Sequence, residues 1–134
     1  MSNCIYLKEG YVKVNYKPET KVLYINWKNL FDSNVVRECC TKQLQQVRSG
    51  AKVMVVDISK AKGVLSDEIQ SWFQESLFGM LAEAGLKVII TIDAQMPVTR
   101  LSSMKWTKTG TNFSFDMITV NSKEDASKAA MKYI

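Results

Sequence analysis

Histidine is absent from this chain of 134 residues, and cysteine is scarce. The lack of histidine excludes Ser-His-Asp and Cys-His nucleophile pairs, most catalytic zinc sites and the usual general base near neutral pH. The three cysteines, Cys4, Cys39 and Cys40, are odd in number and two are adjacent, which does not suit a disulfide framework. We therefore expect reduced thiols in a cytoplasmic protein that is not an enzyme and holds neither a metal nor a cofactor.

The sequence also lacks long apolar runs and blocks of like charge. Its longest apolar runs are of strand length, which predicts no membrane span, and no signal peptide is indicated at the start. The formal net charge of +5 comes from scattered lysines, so a nucleic-acid partner is not expected. The candidate basic cluster is Arg100, Lys105 and Lys108. A solvated helix face is favoured for it over a site for an acidic partner or a phosphate.

Hydrophobic periodicity supplies the secondary structure. Alternating or continuous apolar residues predict strands at 11–16, 21–27, 52–58, 87–93 and 113–120. Apolar residues at three- and four-residue spacing predict helices at 31–50, 66–85, about 98–108 and 123–134, with Ser66 and Ser122 as N-caps. The order β-β-α-β-α-β-α-β-α predicts an α/β fold in one domain, residues 1–134, with helices packed against a sheet.

Several motifs in this order carry a family resemblance. They are an early strand that ends in Trp27, "VMVVDIS" at 53–59, "LSDEIQSWF" at 65–73 and "AEAGLKVIIT" at 82–91. From about Tyr11 to Ile134, the chain resembles the STAS-like superfamily, and most closely its small stand-alone members related to bacterial anti-sigma factor antagonists. A more distant similarity is to CRAL-TRIO lipid-transfer domains. The resemblance implies a mixed sheet of four or five strands with helices mainly on one face.

Ser66 is a candidate phosphorylation site through this resemblance. In the antagonist branch, a phosphorylatable serine begins the helix after the central strand, usually within an Asp-Ser-x-Gly type motif. Residues 66–68 instead read Ser-Asp-Glu. Asp67 and Glu68 already supply the negative charge that a helix N-terminus favours, and they would repel a phosphate. The interpretation of Ser66 as a plain N-cap is therefore favoured.

Asp57, Ser59 and Asp93 are candidate binding-edge residues. The two aspartates end predicted buried strands, and ligands of open α/β sheets bind at the carboxyl edge of the strands. Two carboxylates there could hold a cation or divide acid and base roles, which keeps an enzyme as a minor hypothesis. The favoured interpretation is that each carboxylate accepts hydrogen bonds from its own loop.

The sequence supports two hypotheses about function. The first is a non-enzymatic cytoplasmic module of regulation, which presents helix two and the loops after Asp57 and Asp93 to a protein partner. The second is a carrier of a small apolar or lipid-like ligand held between sheet and helices, with Trp72 and Met80 as candidate pocket residues. The core interpretation of these two side chains is favoured. Self-association into a homodimer is a further option.

Overall fold

A computed structural model describes residues 2–134 of the chain. Within these residues, the strands form one mixed sheet of six strands whose spatial order follows the chain. The first three strands are antiparallel, and the third to the sixth are parallel. The strands are β1 (Asn3–Lys8), β2 (Val12–Lys17), β3 (Val22–Trp27), β4 (Val53–Asp57), β5 (Val88–Ile92) and β6 (Asp116–Val120). The predicted α/β class and mixed sheet are confirmed.

The sheet has one strand more than the four or five that were predicted. The extra strand is β1, an edge strand that buries none of its residues fully. Residues 4–7 are four consecutive apolar residues, and the register shifts between Cys4 and Tyr6, so the alternation that marks a half-buried strand is missing. The hairpin to β2 closes at Gly10, whose φ of 80° suits glycine, and the Tyr11 N–H donates to the Lys8 carbonyl at 2.9 Å.

Four helical stretches accompany the sheet in the described part of the chain. The second helical stretch is continuous, but its hydrogen-bonding pattern changes along its length: α2 runs into a π-helical turn at Phe73–Leu77 and then into α3. The bounds are α1 (Ser33–Arg48), α2 (Asp67–Trp72), α3 (Phe78–Glu83), α4 (Pro97–Gly110) and α5 (Lys123–Met131). Side chains cap three of them as N-cap residues: Asp32 for α1, Ser66 for α2 and Ser122 for α5.

The sheet buries both of its faces, but unequally. Helices α1 to α4 cover one face and enclose the main core, which includes Met54 and Val56. Within residues 2–134, α5 alone covers the other face, where Val53 and Val55 pack with Ala126 in a second core. Because successive side chains of a strand point to opposite faces, the apolar run of β4 is buried on both sides, as its sequence predicts.

Helix α5 lies over β4 to β6 and leaves part of its face of the sheet open. On β2 and β3 that face exposes Lys13, Tyr24 and Asn26, although Val22 at the start of β3 is buried in the second core. The expectation of helices mainly on one face therefore describes α1 to α4, with α5 as the exception. Among residues 2–134 we find no helix with the length and apolar character needed to cross a membrane.

Candidate functional site

Asp57 closes the end of β4 at the carboxyl edge of the parallel strands. Its Oδ1 accepts hydrogen bonds from the Ser59 backbone N–H at 2.9 Å and from the Ser59 hydroxyl at 2.6 Å. The side chain starts a turn in this way, which is a common role for an aspartate after a strand. Asp57 is only 8% exposed, yet it lines a groove beside α5.

Asp93 follows β5 and fixes the start of α4. Its Oδ1 accepts from the Ala94 N–H at 2.8 Å, and its Oδ2 lies 3.3 Å from Nε of Arg100. The same Nε of Arg100 donates to the Ala94 carbonyl at 3.2 Å. Since Arg100 is exposed, this ion pair orients the loop and contributes about 1 kcal/mol or less to stability.

The two aspartates do not share a pocket. Asp57 faces the side of the sheet covered by α5, whereas Asp93 pairs with α4 on the side of the main core. Their loops do meet through the backbone, because the Gln95 N–H donates to the Ser59 carbonyl at 3.2 Å. An acid–base pair needs both carboxylates to reach one substrate, and this placement offers no such arrangement. Within residues 2–134 there is also no group of three or more metal-ligating side chains.

Ser66 is the N-cap of α2. Its Oγ accepts from the Ile69 N–H at 3.2 Å and from the hydroxyl of Ser33, at the start of α1, at 3.2 Å. Asp67 and Glu68 occupy the first turn, as the sequence indicates. The structure thus gives Ser66 the capping role and ties the starts of two helices together through it. Phosphorylation of Ser66 stays a prediction.

Trp72 and Met80 do not line the cavity between sheet and helices. Trp72 is half-buried against the main core, with the guanidinium carbon of Arg37 4.8 Å from its ring centroid. Arg37 in turn pairs with Glu68 at 3.2 Å. Met80 is half-buried against the main core. Both side chains have packing roles, as the favoured interpretation of the sequence holds.

A cavity of about 50 Å³ does lie in the main core. It is lined mainly by apolar side chains, among them Trp27, Phe73 and Trp106, together with the buried amide of Gln43. A volume of this size can hold a water molecule. It is several times smaller than the roughly 300 Å³ at which pockets for small organic ligands begin.

A group of exposed apolar side chains lies on α4. The helix turns Thr99, Ser102, Ser103 and Trp106 inward, and Val98, Leu101 and Met104 outward. Large apolar residues that are exposed together mark interaction sites more often than scattered ones do. The sequence contains this helix but gives no sign that its small polar residues are buried and its leucine is exposed.

Two further apolar side chains lie around the same end of α4. The Thr99 hydroxyl donates to the Gly63 carbonyl at 2.7 Å, which brings the exposed Val64 next to the helix. The exposed ring of Phe31 lies on Gly63, since a Cβ at that position would be 3.1 Å from three of its ring atoms. We define the α4 surface as Phe31, Val64, Val98, Leu101 and Met104.

Lysines border the α4 surface. Lys105 and Lys108 lie on α4 itself, and Lys60 and Lys62 lie four and two residues before Val64 in the chain. All four are exposed, and none forms an ion pair with another residue of the described part of the chain. Their charge is therefore available to a partner. The basic cluster predicted at Arg100, Lys105 and Lys108 is one side of this border, with Arg100 engaged by Asp93.

Comparisons with known proteins give no match for this chain, whether with protein-family models, with curated proteins or with solved structures. The geometry of the chain itself must therefore carry any functional conclusion.

Proposed function

We propose that this protein is a non-enzymatic binding module that docks a protein partner through the α4 surface. One observation carries the proposal: five large apolar side chains, exposed by 37 to 69%, lie around one end of one helix. Removing such side chains from water at an interface is the dominant favourable term in association. The surface lies at the carboxyl edge of the parallel strands, next to the loops that the sequence assigns to partner binding.

The lysines that border the α4 surface indicate the kind of partner that would bind there. Lys60, Lys62, Lys105 and Lys108 surround the apolar side chains, so the complementary surface is an apolar strip flanked by carboxylates. An amphipathic segment with acidic flanks has this form. Asp67 and Glu68 begin α2, whose Gln70 donates to the Ser102 carbonyl of α4 at 3.1 Å. Acidic groups so near the surface favour a protein of mixed charge over a uniformly anionic membrane.

The alternative function is that of a carrier for a small apolar ligand. Its supporting observation is the cavity in the main core, which lies where such a ligand would be held. At about 50 Å³ the cavity would have to grow several-fold to admit a lipid-like molecule. The interaction module needs no such rearrangement and is the better-supported function. The three free cysteines fit its placement in the cytoplasm.

The test compares Leu101→Asp with Leu7→Asp. Both leucines are exposed, by 65% and 55%, and Leu7 lies on β1, away from α4. Wild-type protein serves as the bait in extract of the source cell, and a protein that it captures is then purified. Its dissociation constant is measured for all three forms by calorimetry. We expect Leu101→Asp to weaken binding at least about tenfold, and Leu7→Asp to leave it unchanged.

Three outcomes would contradict the proposal. Equal affinities of wild type and Leu101→Asp would show that the α4 surface does not form the interface. A dimer that sedimentation detects and Leu101→Asp dissociates would make a second copy of the chain the occupant. Binding to vesicles of anionic phospholipid that Leu101→Asp abolishes would make a membrane the occupant.

A further inference from the structure

A groove lies on the open part of the sheet, on the face opposite to α4. Its volume is about 290 Å³, close to the lower end for small-molecule sites. Strands β2, β3 and β4 form its floor, and α5 forms one wall. The polar lining consists of Lys13, Asn15, Tyr24, Asn26 and Asp57 from the strands, with Lys123 and Ser127 from α5.

The strand register arranges the floor in two rows. Lys13, Asn26 and Asp57 are direct neighbours across three strands, in that order. Asn15, Tyr24 and Val55 form the row beside them. Neighbouring strands lie about 4.8 Å apart, so the backbone positions of Lys13 and Asp57, two strands apart, are separated by about 10 Å. The side-chain amide of Asn26 lies on the strand between them.

Helix α5 adds a second cation on the other side of the carboxylate. Lys123 and Ser127 are four residues apart on α5, so they lie on one face of the helix, and both line the groove. The groove therefore presents one carboxylate between two lysines. The ring of Tyr24, with Val55 and Ile92, supplies the apolar part of its lining.

Several of these polar groups are free to bond a ligand. Within residues 2–134, the side chains of Lys13, Asn26 and Lys123 have no hydrogen-bond or ion-pair partner. Asp57 is the informative member because it is buried, at 8% exposure, yet only its Oδ1 is engaged, by Ser59. Because Oδ2 is not fully buried, a donor delivered from the groove can reach it and form a charge-assisted hydrogen bond.

We propose that this groove binds a small zwitterion of the α-amino acid type with an apolar or aromatic side chain. The ligand ammonium donates to Oδ2 of Asp57, and its carboxylate is held by Lys13 and Lys123. Charge-assisted contacts of both signs would be formed at once. The ligand side chain lies against the Tyr24 ring and the apolar lining. A simple anion fits less well because Asp57 would repel it, and a metal ion because the two lysines would.

The test uses the complete chain and three matched probes. L-Phenylalanine carries both charges, phenethylamine lacks the carboxylate, and 3-phenylpropionate lacks the ammonium. Amide chemical shifts in ¹⁵N NMR spectra locate the bound probe, and their titration gives the dissociation constant. We expect L-phenylalanine to shift the amides around Asn26, Asp57 and Lys123, and to bind at least about tenfold more tightly than either single-charge analogue. The other common protein amino acids are titrated in the same way to rank side chains.

Variants separate the two charges. Asp57→Asn removes the negative charge and keeps the size of the side chain, and Lys123→Ala removes an exposed ammonium group. Each variant should weaken amino-acid binding by about tenfold. Lys42→Ala removes an exposed lysine of α1 and serves as the control, with no change expected. Leu101→Asp, which probes the α4 surface, should also leave amino-acid binding unchanged, so failures of the two proposals can be told apart.

The proposal is overturned if no common amino acid shifts the groove amides at millimolar concentration. It is also overturned if the single-charge analogues bind as tightly as L-phenylalanine. Binding that survives both Asp57→Asn and Lys123→Ala would place the ligand elsewhere, provided that near-native amide spectra show both variants to be folded.

Discussion

Replacing Thr91 by valine should stabilise the protein. Thr91 lies in β5 between Ile90 and Ile92, which pack in the second core, so its side chain points into the main core. It is 1% exposed, and its hydroxyl has no hydrogen-bond partner in the described part of the chain. An unpaired buried hydroxyl costs about 1–3 kcal/mol. Valine keeps the branched shape and replaces the hydroxyl by a methyl group, so we expect a gain of about 1 kcal/mol.

Thr99 provides the matched control, because the same substitution there should have the opposite sign. Thr99 is 0% exposed, and its hydroxyl donates to the Gly63 carbonyl at 2.7 Å. Threonine and valine have similar helix propensities, so the backbone of α4 contributes little to the difference. Thr99→Val removes the bond and leaves the Gly63 carbonyl without this donor, which should cost about 1–2 kcal/mol.

Urea unfolding followed by tryptophan fluorescence measures both changes. The comparison requires equal dependence of the unfolding free energy on urea in all three proteins, so that only stability differs. For a domain of this size, 1 kcal/mol corresponds to a shift in melting temperature of about 3 °C. If Thr91→Val lowers stability, the Thr91 hydroxyl is satisfied in solution, for example by a buried water, and is not an unpaired group. A shift of both variants in the same direction would also contradict the opposite hydrogen-bonding states of Thr91 and Thr99.

Three other residue environments give further expectations. Ser66→Ala should cost about 1 kcal/mol in urea unfolding, whereas Ser66→Asp should keep most of the cap; equal losses would argue against capping. Burial raises the pKa of Cys39 to about 12, and that of Cys40 well above its ordinary value. Iodoacetamide should therefore label only Cys4 in the native protein and all three thiols in urea, as mass spectrometry can show. Desolvation, and then a hydrogen bond to a carboxylate of α1, raises the pKa of Tyr6 from 10.0 to about 12. The protonated phenol thus stabilises the fold below pH 10 and loses this effect as pH rises to 12, so Tyr6→Phe should flatten the pH dependence of unfolding in that window.

Local patterns in the sequence predict most of the elements. The continuous apolar run of β4 and the turn at Pro18 between β2 and β3 need only neighbouring residues to be interpreted. The caps Ser66 and Ser122 are equally local, because a cap bonds N–H groups two or three residues further along. Strand β1 escapes such patterns because its pairing with β2, and not its own periodicity, makes it a strand.

The α4 surface could not be predicted, because hydrophobicity gives the wrong orientation for this helix. Leu101 and Met104 face outward, while Thr99 and Ser102 are buried. Those buried hydroxyls are satisfied by backbone groups 36 and 37 residues away in the chain. Only the folded structure brings the loop at 61–65 against α4 and so decides which side of the helix is exposed.

Asp57 and Asp93 show most clearly the difference between what the sequence predicts and what the tertiary structure decides. By itself, the sequence determined that each ends a buried strand at the carboxyl edge, and this is what made them equivalent candidates. Tertiary structure separated them, because Asp57 lines the groove beside α5 while Asp93 binds Arg100 of α4 on the other side of the sheet. The physical reason is that periodicity fixes which residues of a strand share a face, whereas the packing of distant helices decides what each face meets.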